Sequence, residues 1–280
     1  MIKKISNFFL RKYFKKIGLY NVNILDSYSE IENLIPSDEF KTLRSLKRFQ
    51  ESSVTFLGKS LKFSDNEAFI GMVNEIFIKK NYMFNSDDDA PLIIDCGANI
   101  GLSAIFFKQI YPNSKIICFE PDPKIFEMLK YNLEQFNYSD IQTYNNAVWV
   151  RNEKLRFQTD NSWGGKIVSN DSKNYINIDA LDLNNFLKQK VDFLKIDIEG
   201  AEYEVIINCK DLISKNVKNI FFEWHSFSNK GQVLGSLLSF FEKSNFRYHL
   251  KEASPKGAPF IEKRTDQDMD TQIDCFIYKV

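Results

Sequence analysis

Histidine and cysteine are scarce in this chain: two of the former and four of the latter in 280 residues. Cys96, Cys118, Cys209 and Cys275 form no CxxC pair and have no nearby histidine, so neither a zinc-type cluster nor a disulfide framework is expected. Reduced cysteines beside apolar segments behave as small hydrophobes, which fits a reducing cytoplasm. Net charge is also missing, with 37 basic and 37 acidic residues. No global field recruits nucleic acid, and no basic patch is interleaved with aromatics. No apolar run approaches the roughly 18 residues of a membrane-spanning helix. Internal repeats and low-complexity tracts are absent as well.

What is present is a large apolar fraction, 44% hydrophobic with 26 Phe, enough for one large domain or two unequal ones. The first twenty residues, MIKKISNFFLRKYFKKIGLY, are basic but too short in apolar length for a signal-peptide core. Ile2, Ile5, Phe8, Phe9, Tyr13 and Ile17 fall on one helical face, with six lysines and arginines before the first acid, Asp26. Such a helix can dock on its own domain or a second subunit, or lie on an anionic membrane surface. Residues 1–58 read as a helical extension and 59–89 as a strand–helix lead-in. The solvated run Asn85-Ser86-Asp87-Asp88-Asp89 marks a boundary before a main domain, 90–280.

Past that boundary, short β-branched runs alternate with amphipathic helices. LIID (92–95), KIICFE (115–120), IQTYNNAVWV (141–150), VDFLKIDI (191–198) and NIFFEW (219–224) read as strands, with helices expected over 100–111, 122–136, from about 201, and over 231–244. FRYHLK and DCFIYKV close the chain as a hairpin. The pattern predicts an α/β fold with a doubly wound, mostly parallel sheet and an antiparallel edge, whose ligands bind beyond the carboxyl ends of the strands.

PLIIDCGANIGLSA lies at such an end. Gly97 and Gly101 let backbone approach a ligand, and Glu120, nineteen residues after Gly101, can accept hydrogen bonds from a ribose. Alone, this fits any adenosine cofactor, including NAD. Charge separates them. A pyrophosphate tolerates carboxylates poorly, yet Asp95 precedes the first glycine, the third glycine of GxGxxG is missing, and Asp197 and Glu199 end another strand. S-adenosylmethionine carries an ammonium and a sulfonium, which acidic walls suit. Asp95 is therefore expected to order the loop and face the cationic end of that cofactor.

IIDCGANIGLSAIFF, CFEPDP, NNAV and DFLKIDIEGAEYEV resemble the FkbM family of S-adenosylmethionine-dependent methyltransferases over residues 82–225. The resemblance implies a class I methyltransferase (Rossmann-like) fold and O-methylation, often of sugars or polyketides. It places Asp95, Gly97, Ala98, Asn99 and Gly101 in the cofactor loop, Glu120 and Pro121 at the ribose, Asn146 and Ala147 at the adenine, and Asp197 nearby.

An alcohol acceptor must also lose a proton, and Asp197, Glu199 and His225 stand at strand ends where a base belongs. Asp197 and His225 remain open alternatives. Glu202 can instead serve the helix dipole, and Lys195 can pair with an acid. Asp197, Glu199 and Glu223 could gather a divalent cation, but their spacing does not require one and no metal is expected. Trp163 can stack on a sugar or anchor its insertion. The expected protein is a cytoplasmic O-methyltransferase acting on a glycan or glycolipid-linked hydroxyl. Residues 1–20 offer a peripheral membrane contact, a homo-oligomer is compatible with the sequence, and no nucleic acid is expected as a partner. The alternatives are an NAD(P)-dependent oxidoreductase and a non-catalytic cofactor-binding module.

Overall fold

The computed structural model describes residues 31, 33–159, 165–168, 175–253, 260, 261 and 269–280. The basic segment 1–20 and Trp163 lie outside them. The described chain opens with helix α1 (Ser37–Ser45), the hairpin of β1 (Ser52–Phe56) and β2 (Lys59–Phe63), and helix α2 (Asn66–Val73), which runs into a π-helical turn, Asn74–Ile78. The segment VTFLGKSLKF (54–63) makes two strands, not one, because Leu57 and Gly58, both at positive φ, reverse the chain. Asp65 caps α2, accepting from the N–H groups of Glu67 and Ala68 while Arg48 donates to the same carboxylate.

The main sheet alternates with helices as the sequence pattern requires: β3 (Leu92–Cys96), α3 (Leu102–Ile110), β4 (Lys115–Phe119), α4 (Pro123–Gln135) and β5 (Gln142–Tyr144). A smaller sheet follows from β6 (Ala147–Trp149), β7 (Glu153–Gln158), β8 (Lys166–Ile167) and β9 (Ile176–Asp182). The chain then returns through β10 (Val191–Ile196), α5 (Glu202–Asn208), α6 (Lys210–Asn216), β11 (Val217–Phe227) and α7 (Leu234–Lys243), and ends on β12 (Phe246–Glu252) and β13 (Met269–Lys279). IQTYNNAVWV does not form one strand: it breaks at Asn145-Asn146, leaving β5 on the main sheet and β6 on the small one.

The main sheet has the order β12-β13-β11-β10-β3-β4-β5. All neighbours from β11 to β5 pair in parallel, and β13 lies antiparallel between β11 and β12. This is the arrangement of a class I methyltransferase. The order reverses between β3 and β10, so their carboxyl ends diverge and open a crevice there.

Two apolar layers cover the sheet. One side packs against α5, α6 and α7 through Val205, Ile213, Phe222 and Phe241. The other packs against α3, α4 and the whole lead-in through Phe56, Phe69, Phe107 and Leu129. The run 85–89 therefore does not separate two cores. Ser86 is buried, its N–H donating to the Tyr111 hydroxyl and its own hydroxyl to Asp192. Asn132 on α4 is fully buried and fastens the lead-in to the main domain. It accepts from the Lys62 N–H at 2.7 Å and donates to the carbonyls of Lys62 and Ile100.

The lead-in should accordingly unfold with the rest. Phe69→Ala, at a fully buried position, is expected to cost about 3–5 kcal/mol. Urea titrations followed by far-UV circular dichroism and by tryptophan fluorescence should shift together; separate transitions would restore an independent lead-in.

Candidate active site

A cleft of about 520 Å³ opens at the carboxyl ends of β3, β4 and β10. Its floor is the loop after β3, whose shape is set by two close approaches. Gly97 has φ +85°, and a Cβ there would come within 1.9 Å of the Asp197 carbonyl oxygen. Gly101 has φ +92°, and a Cβ would meet Leu129 of α4 at 2.7 Å, so the packing it permits is helix on helix rather than helix on sheet. Every backbone N–H from Gly97 to Gly101 already has an acceptor. Gly97 and Ala98 donate to the Phe119 carbonyl, Asn99 to the Glu120 carboxyl, Ile100 to the Asn99 side chain and Gly101 to the Ala98 carbonyl.

Glu120 directly follows β4 and is buried, receiving N–H groups from Asn99 and Asp122, both at 2.9 Å. Burial pushes its carboxyl up to about 8 against the pull of those two donors. Ala98, Asn99, Pro121, Asn146 and Ala147 also line the cleft.

Asp95 does not. The expectation that it faces the cofactor's cationic end is corrected: it is fully buried beneath the loop, accepting a short hydrogen bond from the Ser103 hydroxyl, with Lys195 Nζ 3.4 Å away. Lys195 faces Asp95 directly across the parallel β3–β10 pair, so strand register forces the two together. The ammonium also donates to the Gly97 carbonyl at 2.8 Å and lies 3.3 Å from Asp197. Asp95 thus orders the loop through a buried lysine instead of touching a ligand. Burial alone would lower the Lys195 pKa, but Asp197 and Asp95 outweigh it and hold the ammonium well above the usual lysine range.

Asp197 and Glu199 reach the cleft, as does Glu223 on β11. His225, two residues beyond Glu223 on the same face of β11, lies behind them and is 3% exposed. Its Nδ1 is 3.1 Å from Glu202 and its Nε2 is 3.4 Å from Glu199. Burial works against its charge, yet Glu199 and Glu202 prevail and keep the imidazole protonated well above the ordinary histidine value. His225 does not line the cleft, so it stands behind the acidic groups instead of meeting an acceptor there as the expected base. Glu202 does more than serve the helix dipole: it takes the N–H groups of Ile198 and Gly200 as well as the histidine. Burial, then Asp197, raises Glu223 well above the carboxylate range.

The sequence reading missed Glu75, which reaches the cleft from the π-helical turn and is pushed up by burial and by Asp274. An acid inside the apolar run EAFIGMVNEIFI was the available signal. Met72, Ile76, Tyr82 and Gln272 also line the cleft and carried no signal of their own.

The Methyltransferase FkbM domain family matches residues 95–248, more than half of the chain. The chain belongs to this family. It is similar to Methyltransferase 1 of Beauveria bassiana (strain ARSEF 2860), 28% identical over 163 residues, covering 49% of this chain and 66% of that protein. The 2-O-methyltransferase NoeI of Sinorhizobium fredii (strain NBRC 101917 / NGR234) is 24% identical over 147 residues, covering 45% of this chain and 60% of its own. The chain thus spans just under two thirds of the length of these relatives. Among solved structures, the FkbM methyltransferase of Methylobacillus flagellatus KT aligns with a TM-score of 0.48 at 16% identity, covering 86% of this chain and 58% of that one.

The cofactor of FkbM methyltransferases is S-adenosylmethionine, and the cleft fits it. Its facing charges are carboxyl groups, with Lys195 already committed to Asp95, Asp197 and the Gly97 carbonyl. Glu120 lines the same cleft, and the role expected of it there is to accept from a ribose diol.

Two outcomes follow. A diol donates to the ionised carboxyl, whereas free Glu120 holds its proton below about pH 8. Affinity for S-adenosylhomocysteine should therefore rise with pH by up to about tenfold per unit and level off above that value, with proton release visible by calorimetry. Glu120→Gln should flatten the profile; an unchanged slope would remove Glu120 from the ribose. Gly97→Ala should lose cofactor binding and destabilise the fold by at least about 1–3 kcal/mol, read by thermal unfolding.

Proposed function

We propose that the protein transfers the methyl group of S-adenosylmethionine to a hydroxyl oxygen on a glycan or a glycolipid-linked precursor. The observation that carries this reading is the closed loop. With its N–H groups from Gly97 to Gly101 consumed internally, the loop has none to offer a pyrophosphate, while the cleft beside it presents carboxyl groups. A nicotinamide dinucleotide needs the reverse of both features.

When bound, S-adenosylmethionine supplies a methyl group already activated on a sulfonium. The residues of the chain bind and orient around it. Glu120 takes the ribose, Asn146 and Ala147 border the adenine, and Asp197, fixed by Lys195, meets the cationic end. Across the cleft Met72, Ile76, Tyr82 and Phe221 form an apolar wall that excludes water. Asp197, just beyond β10, and Glu223, within β11, offer oxygens to orient an acceptor hydroxyl, and Asp197 receives its proton. Positioning of this kind is worth up to ~7–11 kcal/mol in well-oriented reactions. The name of NoeI, a 2-O-methyltransferase, supports oxygen as the acceptor atom.

The test is transfer of tritium from methyl-labelled S-adenosylmethionine to a panel of oligosaccharides and glycolipids, with S-adenosylhomocysteine formed one for one. Label should enter a base-stable ether, and Asp197→Asn should lower kcat by about 10²-fold or more. Tight binding of NAD with no binding of S-adenosylhomocysteine would overturn the assignment. Cofactor binding without transfer to any acceptor, and a cellular role indifferent to Asp197→Asn, would favour a non-catalytic module.

A further inference from the structure

Among the described residues, a cluster of metal-ligating side chains at the cleft shares Asp197 with the methyl-donor site and adds Glu223 and His225. One donor atom each from Asp197, Glu223 and His225 lies within 4.8 Å of the others. Asp197 directly follows β10, and Glu223 and His225 lie within β11 where it pairs antiparallel with β13, so the backbone beneath those two is fixed by the sheet. An ion held at about 2.1 Å from each donor needs pairs no more than about 4.2 Å apart, so closing the cluster takes a few tenths of an ångström of side-chain movement.

His225 is oriented for the part. Glu202, with its side chain 1% exposed, accepts at Nδ1 from 3.1 Å and is itself pinned by the N–H groups of Ile198 and Gly200. A carboxylate on one ring nitrogen is what fixes the tautomer and aim of metal-bound histidines. With Nδ1 taken by Glu202, Nε2 is the ring nitrogen left for an ion, which would release its proton on binding, and Glu199 Oε2 lies 3.4 Å from it as a further oxygen. Charge agrees. Among the described residues, Glu75, Asp197, Glu199 and Glu223 meet in one cleft whose lysine, Lys195, pairs with Asp197 at 3.3 Å and is shared with Asp95 and the Gly97 carbonyl, leaving the other carboxyl groups without a lysine. Burying so many carboxyl groups without a compensating cation is costly.

We propose that Asp197, Glu223 and His225 bind one divalent first-row cation, with Glu202 as the positioning residue behind the histidine. One imidazole and carboxylate oxygens suit Mn²⁺ or Zn²⁺ better than a soft monovalent ion. The ion would sit on the acceptor side of the cleft and polarise the hydroxyl to be methylated; that role, unlike the site itself, rests on the reading of the protein as an O-methyltransferase.

The experiment is titration of the EDTA-dialysed full chain with Mn²⁺, followed by calorimetry and by the electron paramagnetic resonance of free Mn²⁺. One ion per chain is expected at micromolar concentration. His225→Asn and Glu223→Gln should each weaken it at least tenfold, and Glu202→Gln by about 10–100-fold without removing a ligand. Binding of S-adenosylhomocysteine, measured in each variant, reports that the fold survives. A cation that binds only at millimolar concentration, or equally well in His225→Asn, would overturn the site. Loss of S-adenosylhomocysteine binding in the wild type would instead sink the methyltransferase reading and leave the cation result standing.

Discussion

A single buried ammonium ties the two halves of the cleft together. Lys195 reaches from the middle strand of the sheet to Asp95 on the neighbouring strand, to the Gly97 carbonyl in the loop above it, and to Asp197 at the end of its own strand. Each of those groups would be a liability if left alone. An isolated buried carboxylate costs several kcal/mol, and removing one partner from a buried pair typically costs about 3–5 kcal/mol. The arrangement is only as good as its geometry, which the parallel register supplies by setting Lys195 opposite Asp95. Loop shape and the direction of Asp197 both descend from these contacts.

The same constraint explains why the loop tolerates so little change. Gly97 lies so close to the Asp197 backbone that any side chain would collide with it, and the Asp197 N–H in turn donates to the Cys96 carbonyl. The carboxyl ends of β3 and β10 are thus interlocked by main chain, not only by charge. Glu120 adds the third edge, holding the Asn99 N–H from the end of β4. Three strand ends are pinned to one five-residue turn before any ligand arrives, so binding need spend little on ordering the site.

Much of this was legible in the sequence, and the reason is locality. Alternation of β-branched runs with amphipathic helices is a short-range signal, and Asp122 followed by Pro123 announces the start of α4 within two residues. The expectations that failed depended on distant partners. Nothing near Asp95 reveals that its counter-charge is Lys195, and nothing near His225 reveals that Glu202 and Glu199 will close around it. The extent of the lead-in was hidden for the same reason, since Phe56 and Phe69 announce burial but not what they bury against. The split of IQTYNNAVWV turns on two asparagines whose side chains bond to backbone on either side of the break, at Glu120 and at Asp179.

Met72, Glu75, Ile76 and Tyr82 precede the stretch that defines the family, and Met269 and Gln272 follow it, yet all six line the cleft. The wall they build is therefore written in a part of the chain that family membership does not constrain. Exchange of that wall between related proteins, with the strand ends and their buried lysine left intact, would redraw what enters the cleft without touching the turn at its floor. Two chains could share every residue of that turn and still accept different molecules, which makes the flanking segments the natural place for such proteins to diverge.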